Sequence, residues 1–402
     1  MKRQGMLIVL GLIFIFALGF LCLPHRGARD VPPVSSGDAG EDVPPQEEIH
    51  PLPAGYEEGG VFGGFERAAY TMLQQMTLEE KVGQLLLGRF PEVDALEDLQ
   101  RYHLGGLILF EKDFAGKSPE EVRDRLEACR QVSKIPLILS TDEEGGSVIR
   151  ISRNPKLAEK PFLSPQKLYN KGGLPLIRED AKKKGALLKS LGINVNLAPV
   201  ADVSTSKNDY IYNRTLGRPA GETSAYVVTV VKEFQKQGVS AVLKHFPGYG
   251  GNADTHKAAA VDQRTYSQLQ SADFLPFQAG IRAGAYGVLV AHNIVSCMDE
   301  ELPASLSPEV HRILREALGF TGVILTDDLA MDAISNYRTE RHPAVQAVLA
   351  GNDMLIISDY ADGYRNILEA VEAGSLPEER VDKAAYHVLK WKYALGLMNK
   401  NL

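Results

Sequence analysis

Residues 240–256 read Ser-Ala-Val-Leu-Lys-His-Phe-Pro-Gly-Tyr-Gly-Gly-Asn-Ala-Asp-Thr-His. A short, mostly apolar run is stopped by Lys244 and His245. The loop after it is too rich in glycine and proline to be regular structure. The same form recurs along the chain. The run 136–140 ends in Thr141-Asp142-Glu143-Glu144, 194–200 in Ala201-Asp202, 288–291 in His292, and 323–325 in Thr326-Asp327-Asp328. Runs at 106–110 and 354–357 bring the candidates to seven. Their apolar residues are continuous rather than alternating, as expected of parallel strands covered on both faces.

Segments with helical patterning lie between the runs, at 119–131, 176–191, 223–237, 275–283 and 308–318. A last amphipathic helix is expected over 381–396. Strands alternating with helices imply βαβ units. The fold class is therefore α/β: a single (β/α)8 barrel over residues 61–402 with one strand not identified, or alternatively a doubly wound open sheet. Thr77-Leu78-Glu79-Glu80 has the form of a capping box, and Val82, Leu85 and Leu86 follow at helical spacing. In a barrel, all strand C-termini meet at one face, where active sites lie. Five runs ending in carboxylates, imidazoles or a lysine then place an acid/base cluster on that face. No repeated metal-ligand spacing, Gly-x-Gly-x-x-Gly or Walker motif accompanies it. No metal and no cofactor is expected.

The 402 residues carry a formal charge of −7, which disfavours a nucleic-acid partner. Cys22, Cys129 and Cys297 make no disulfide framework. Lys2 and Arg3 precede 18 residues, 6–23, that are apolar apart from two glycines. That length sits between a secretory signal and a spanning helix. An uncleaved signal-anchor over 1–23 is the first reading and a cleaved signal peptide the second. Either puts the remaining chain outside the cytoplasm. Residues 24–60 hold seven prolines, eight acidic residues and two arginines, the composition of an extended tether.

Asp254 and His256 stand two apart in the glycine-rich loop. An aspartate bonded to one ring nitrogen fixes the tautomer and raises the basicity of the other, the logic of an acid/base dyad. An Asx-turn beside a surface histidine is the competing reading. Asp327 and Asp328 are adjacent. If the chain stays extended they point to opposite sides, so only one can face a substrate.

These motifs, in their order, resemble glycoside hydrolase family 3, in particular its NagZ-type β-N-acetylglucosaminidases. The resemblance runs from about Met72 to Met398. It rests on Gly105-Gly-Leu-Ile-Leu-Phe110, Asp142-Glu-Glu-Gly-Gly-Ser-Val-Ile-Arg150, Asn196-Leu-Ala-Pro-Val-Ala-Asp202, Asn213-Arg-Thr-Leu-Gly217, Lys244-His-Phe-Pro-Gly248, Asp254-Thr-His256 and Thr326-Asp-Asp-Leu-Ala-Met331. It implies a barrel that releases terminal β-linked N-acetylglucosamine with retention. It also implies Asp327 as nucleophile, His256 as general acid/base and Asp254 as its partner. Asp142, Arg150, Arg214, Lys244 and His245 match sugar-contacting positions, and Asp202 and His292 line the same face. Three positions depart from the common pattern: Ser147 for arginine, Glu143 for glutamine and Tyr249 for histidine. The first two bear on substrate contacts.

The expected partner is a carbohydrate, drawn from peptidoglycan fragments and met in the bacterial cell envelope, with the membrane engaged through the N-terminal segment. Three alternatives use the same residues: a phosphorolytic N-acetylglucosaminidase, a β-glucosidase, and a catalytically inactive barrel that binds wall glycans.

Overall fold

The structure, a computed structural model, describes residues 51–56, 59–91, 93–251, 260–335 and 340–399. The apolar segment 1–23, most of the 24–60 linker, Asp254 and His256 lie outside the described residues. No helix among the described residues is long and apolar enough to cross a membrane.

Ten strands follow in chain order among the described residues: β1 (Leu86–Arg89), β2 (Gly106–Leu109), β3 (Ile138–Thr141), β4 (Val195–Asn196), β5 (Ser240–Phe246), β6 (Val261–Asp262), β7 (Gly287–Val290), β8 (Ile294–Val295), β9 (Val323–Thr326) and β10 (Leu355–Ile357). Eight of them pair in the order β10-β1-β2-β3-β4-β5-β7-β9, and every pairing is parallel. The two ends of this sheet meet where Leu325 bridges Met354 and the Thr326 amide donates to the Met354 carbonyl at 3.1 Å. The sheet thus curls nearly shut into a barrel. β6 and β8 form a separate parallel pair beside it.

All seven candidate runs are strands, and the eighth is β1. Its first residue, Leu86, falls where helical spacing predicts a continuation of the Thr77 helix. The capping box is real: Thr77 Oγ1 accepts from the Glu80 amide at 3.3 Å and Glu80 Oε2 from the Thr77 amide at 3.1 Å. The helix, however, spans only Leu78–Gln84. Sheet pairing starts at once, with the Leu355 amide donating to the Leu85 carbonyl at 2.7 Å. With no turn residue at the junction, helical spacing simply runs into a strand buried on both faces. Close backbone approach allows this. A Cβ on Gly83 would lie 2.3 Å from the Tyr102 carbonyl oxygen, and one on Gly105 would lie 2.1 Å from that of Gln84. The Gly105-Gly106 pair thus has a packing reason.

The buried side chains fall into two sets. Inward residues of successive strands, such as Leu87, Ile108, Val242, Leu289 and Leu325, fill the barrel. Phe62 and Trp391 join this set. Trp391 comes from the last helix, Glu378–Ala394, and its indole N–H donates to Ser240 Oγ at the start of β5, 3.1 Å away. It therefore closes the end of the barrel opposite the strand C-termini. The outward strand residues pack under the surrounding helices in the larger set. This double burial explains the unbroken apolar runs. The predicted 176–191 helix begins earlier, spanning Pro165–Ser190 with non-helical dihedrals at Gly172 and Gly173. The 308–318 helix widens from the α-helical Pro308–Arg312 into a π-turn over Ile313–Ala317. Tyr56, within the 24–60 segment, packs on the helices: its ring lies 4.8 Å from that of Tyr70 and 5.0 Å from that of Tyr386.

Candidate active site

A cavity of about 400 Å³ opens at the strand C-termini. Asp142, Arg150, Arg214, Lys244, His245 and Asp327 all line it, so the fold brings together six of the predicted residues. Lys244 and His245 are neighbours in sequence. An unbroken strand would send them to opposite faces. The register of β5 against β7 shifts between Leu243 and Phe246, and both side chains reach the cavity.

Ion pairs order one side of the cavity. Lys244 Nζ lies 2.7 Å from Asp142 Oδ1 and 2.7 Å from Glu144 Oε1. The Arg214 guanidinium grips both oxygens of Glu144, at 2.7 and 3.0 Å. Arg150 stands 3.6 Å from Asp142. Burial alone would raise the Glu144 pKa, but Arg214 and Lys244 outweigh it and hold the carboxyl far below the ordinary range. Burial would likewise discharge Lys244, yet Asp142 and Glu144 push its pKa up. Both cations therefore remain charged at neutral pH.

The tautomer of His245 follows from its neighbours. Arg214 Nη2 can only donate, and it lies 3.1 Å from His245 Nε2. Nε2 must accept, so the ring proton sits on Nδ1 and is donated to Asp202 Oδ2 at 2.8 Å. Asp202 also accepts from the amides of His245 at 3.1 Å and Tyr249 at 2.7 Å.

Asp327 follows β9 and accepts at Oδ1 from the Asp328 amide at 2.9 Å. Burial favours its neutral form. His292, the Asp328 amide and Lys244 outweigh burial and lower its pKa. Asp328 does not turn away as an extended chain would require; it lines the same cavity. Its Oδ2 accepts from Arg89 Nε at 2.9 Å and Nη2 at 2.6 Å, and its Oδ1 from the Ala330 amide at 3.0 Å. All the charged carboxylates at the cavity except Asp327 thus have a cation as partner among the described residues.

Three expectations change. Asp202 and His292 have no exposed surface, so they stand behind the cavity wall rather than facing a substrate. His292 bonds Ser305 Oγ at 2.7 Å and the Asp328 carbonyl at 3.0 Å, which holds the turn after β9. Glu143 is not a substrate contact. It is fully buried and accepts from the amides of Arg150 at 2.8 Å and Ile151 at 2.7 Å, pinning the loop that carries Arg150. Ser147 does line the cavity, while Tyr249 is buried behind His245.

Sequence reading missed Glu144 and Arg89. Glu144 was legible as one more carboxylate at the end of β3. Arg89 was hidden because its strand was.

Residues 77–391 match the family described as Glycosyl hydrolase family 3 N terminal domain. The chain belongs to glycosyl hydrolase family 3. The chain is similar to the Beta-hexosaminidase of Nitrosomonas eutropha, 31% identical over 273 residues that cover 67% of this chain and 78% of the relative. That of Methylococcus capsulatus is 31% identical over 288 residues, 71% of this chain and 85% of the relative. Among solved family 3 structures, a β-N-acetylglucosaminidase from Paenibacillus sp. str. FPU-7 shares 33% identity at a TM-score of 0.75 over 80% of this chain. This chain spans only 63% of that protein's length. A β-N-acetylhexosaminidase from Beutenbergia cavernae shares 29% identity at a TM-score of 0.70, over 79% of this chain and 99% of its own. The family makes this chain a glycoside hydrolase.

Proposed function

We propose that this glycoside hydrolase releases terminal β-linked N-acetylglucosamine from the non-reducing end of a glycan, with retention of configuration. The observation that carries the reading is the charge pairing at the cavity. A retaining glycosidase needs an ionised carboxylate free to bond the anomeric carbon. Asp142, Glu144 and Asp328 are each bound to a cation, and Asp327 alone of the four has no ion pair among the described residues. The names of the relatives, β-hexosaminidase and β-N-acetylglucosaminidase, support the sugar.

In the proposed mechanism, Asp142, Lys244, Arg214 and His245 bind the hydroxyls of the terminal ring and hold its anomeric carbon over Asp327. Arg150 stands beside Asp142 at the same face. Asp327 attacks that carbon while His256 protonates the departing oxygen, leaving a glycosyl ester. His256, oriented by Asp254, then takes a proton from water, which attacks the same carbon and frees Asp327. The roles of His256 and Asp254 rest on the sequence resemblance. Asp202 sets the His245 tautomer, so that Arg214 and His245 present fixed hydrogen-bonding directions. We infer further that residues 1–23 anchor or export the chain and 24–60 tether it. The barrel would then work on peptidoglycan fragments outside the cytoplasm.

The test is turnover of a chromogenic N-acetyl-β-glucosaminide by Asp327→Ala and His256→Ala. Undiminished release by the Asp327 variant would refute the assignment. Loss of about 10³-fold or more is expected, since an absent nucleophile removes the main route through the barrier.

A further inference from the structure

Residues 252–259, which carry Asp254 and His256, lie outside the described residues, but both flanks of that segment are described. On the leading flank the Gly248 amide donates to the His245 carbonyl at 2.8 Å, and the Tyr249 amide to Asp202 Oδ1 at 2.7 Å. Asp202 is also the partner of the His245 ring, so this flank is wired to the cavity wall. On the trailing flank β6 pairs with β8. The Ile294 amide donates to the Ala260 carbonyl at 2.8 Å, and the Ser296 amide to that of Asp262 at 2.9 Å. Arg264 bridges the two flanks. Its Nη2 donates to the Gly248 carbonyl at 3.0 Å and to Asp262 Oδ2 at 2.6 Å. Its Nε donates to Asp262 Oδ1 at 3.0 Å, and its Nη1 to Asp273 Oδ2 at 2.7 Å. The leading turn is shaped around these groups. A Cβ on Gly250 would lie 2.5 Å from Arg264 Cζ, and one on Gly248 would lie 2.4 Å from Asp273 Oδ1.

We propose that Arg264 is a positioning residue for the acid/base pair: by tying Gly248 to Asp262 it fixes the span across which Asp254 and His256 are presented to the cavity. This rests on the glycosidase reading above, in which His256 gives and then takes a proton. Asp262 and Asp273 are both buried. Burial pushes the Asp273 pKa up to about 6, against the pull of Arg264. Balancing these carboxylates requires only a cation. The bond to the Gly248 carbonyl goes further, because it joins the trailing flank to the leading one. A guanidinium suits this task, since its planar fork of donors meets two carboxylates and a carbonyl at once; an ammonium has no such fork. A displacement of about 1 Å at a reacting group can cost about 10²-fold in rate. Loosening the clamp should therefore slow the steps that need proton transfer and spare those that do not.

The experiment compares kcat/KM for phenyl and 2,4-dinitrophenyl N-acetyl-β-glucosaminides in the full chain and in Arg264→Lys, Asp273→Asn and His256→Ala. Phenolate needs a proton to leave, whereas dinitrophenolate leaves without one. Lysine keeps the charge and loses the fork; asparagine keeps the shape and leaves Arg264 balanced by Asp262. The phenyl-to-dinitrophenyl ratio should fall by about tenfold in Arg264→Lys and about threefold in Asp273→Asn. Azide, a nucleophile that needs no general base, should raise dinitrophenyl turnover by Arg264→Lys and leave the wild type unchanged. Ratios within about twofold of the wild type in the variants that urea melts show to be folded would overturn the proposal. Loss of the fold in both clamp variants would equally overturn it, making Arg264 a structural cation. The His256→Ala variant separates the two readings. If its own ratio does not fall, the acid/base reading fails; if it falls while those of the clamp variants do not, only the positioning role fails.

Discussion

Replacing Lys392 by methionine should stabilise the protein at neutral pH and lose that advantage as pH rises. Lys392 lies on the last helix with no exposed surface, and its amine donates to Gln84 Oε1. Gln84 is itself held by its Nε2 bond to the His103 carbonyl at 2.9 Å, so its oxygen is aimed at the amine. No carboxylate is paired with this lysine among the described residues. Burial pushes its pKa down from 10.5 to about 7. The unfolded chain therefore holds an extra proton between pH 7 and 10.5, and stability rises with pH across that window. At about 1.4 kcal/mol per pH unit, the whole interval amounts to about 5 kcal/mol. Methionine removes this penalty but strands the Gln84 oxygen, at a cost of about 1–3 kcal/mol. Lys392→Met should thus be more stable than wild type by about 2–4 kcal/mol at pH 7, an advantage shrinking by about 1.4 kcal/mol per pH unit. Urea unfolding followed by fluorescence reads this, because Trp391 is the sole tryptophan and sits in the barrel core. A stability difference that stays constant from pH 7 to 9.5 would refute the reasoning.

Other consequences follow from the charge pairing and the packing. Arg89→Met leaves Asp328 as a bare carboxylate beside Asp327. Ionisation of Asp327 is then disfavoured, and the acid limb of kcat/KM should move up by about one pH unit or more in a pH–rate profile. Glu144→Gln strips the shared anion from Lys244 and Arg214, which should destabilise the fold by about 3 kcal/mol in urea melts and raise KM. In Gly105→Ala the new methyl meets the Gln84 carbonyl at 2.1 Å. It should lower the unfolding free energy by about 1–3 kcal/mol, and a midpoint equal to wild type would contradict the close packing of β1 on β2.

The barrel was legible because parallel strands buried on both faces leave a signal that no surface element mimics. Runs such as 323–325 and 354–357 have no polar alternation to confuse with a half-exposed strand. β1 escaped because its signal overlapped another. Val82, Leu85 and Leu86 satisfy helical spacing, and Leu85 alone separates the Leu78–Gln84 helix from the strand, with no loop segment to mark the change. The close contact that makes this junction possible involves Gly83 and Gly105, residues 22 positions apart. A local reading does not connect them.

The site was legible to a different depth. Strand order alone predicts that residues after β3, β5 and β9 share one face, and Asp142, Lys244, His245 and Asp327 do. What local reading leaves open is which carboxylate is free. Asp327 and Asp328 are equivalent as a sequence pair; an extended chain would let only one of them face a substrate, a geometry that the turn after β9 does not keep, and the resemblance alone points to Asp327. Both reach the cavity. The proposed choice rests on Arg89, 239 positions from Asp328, which neutralises that carboxylate and leaves Asp327 without an ion pair among the described residues. The same holds for Glu144, whose partners Arg214 and Lys244 are 70 and 100 residues away. Among the described residues, four cations, Arg89, Arg150, Arg214 and Lys244, then stand with four carboxylates, Asp142, Glu144, Asp327 and Asp328. Such a balanced site offers directed donors and acceptors with little net field, which favours an uncharged, hydroxyl-rich ring over an ionic substrate. In the proposed mechanism Asp327, the carboxylate of the four without an ion pair among the described residues, meets the positive charge that develops at the anomeric carbon.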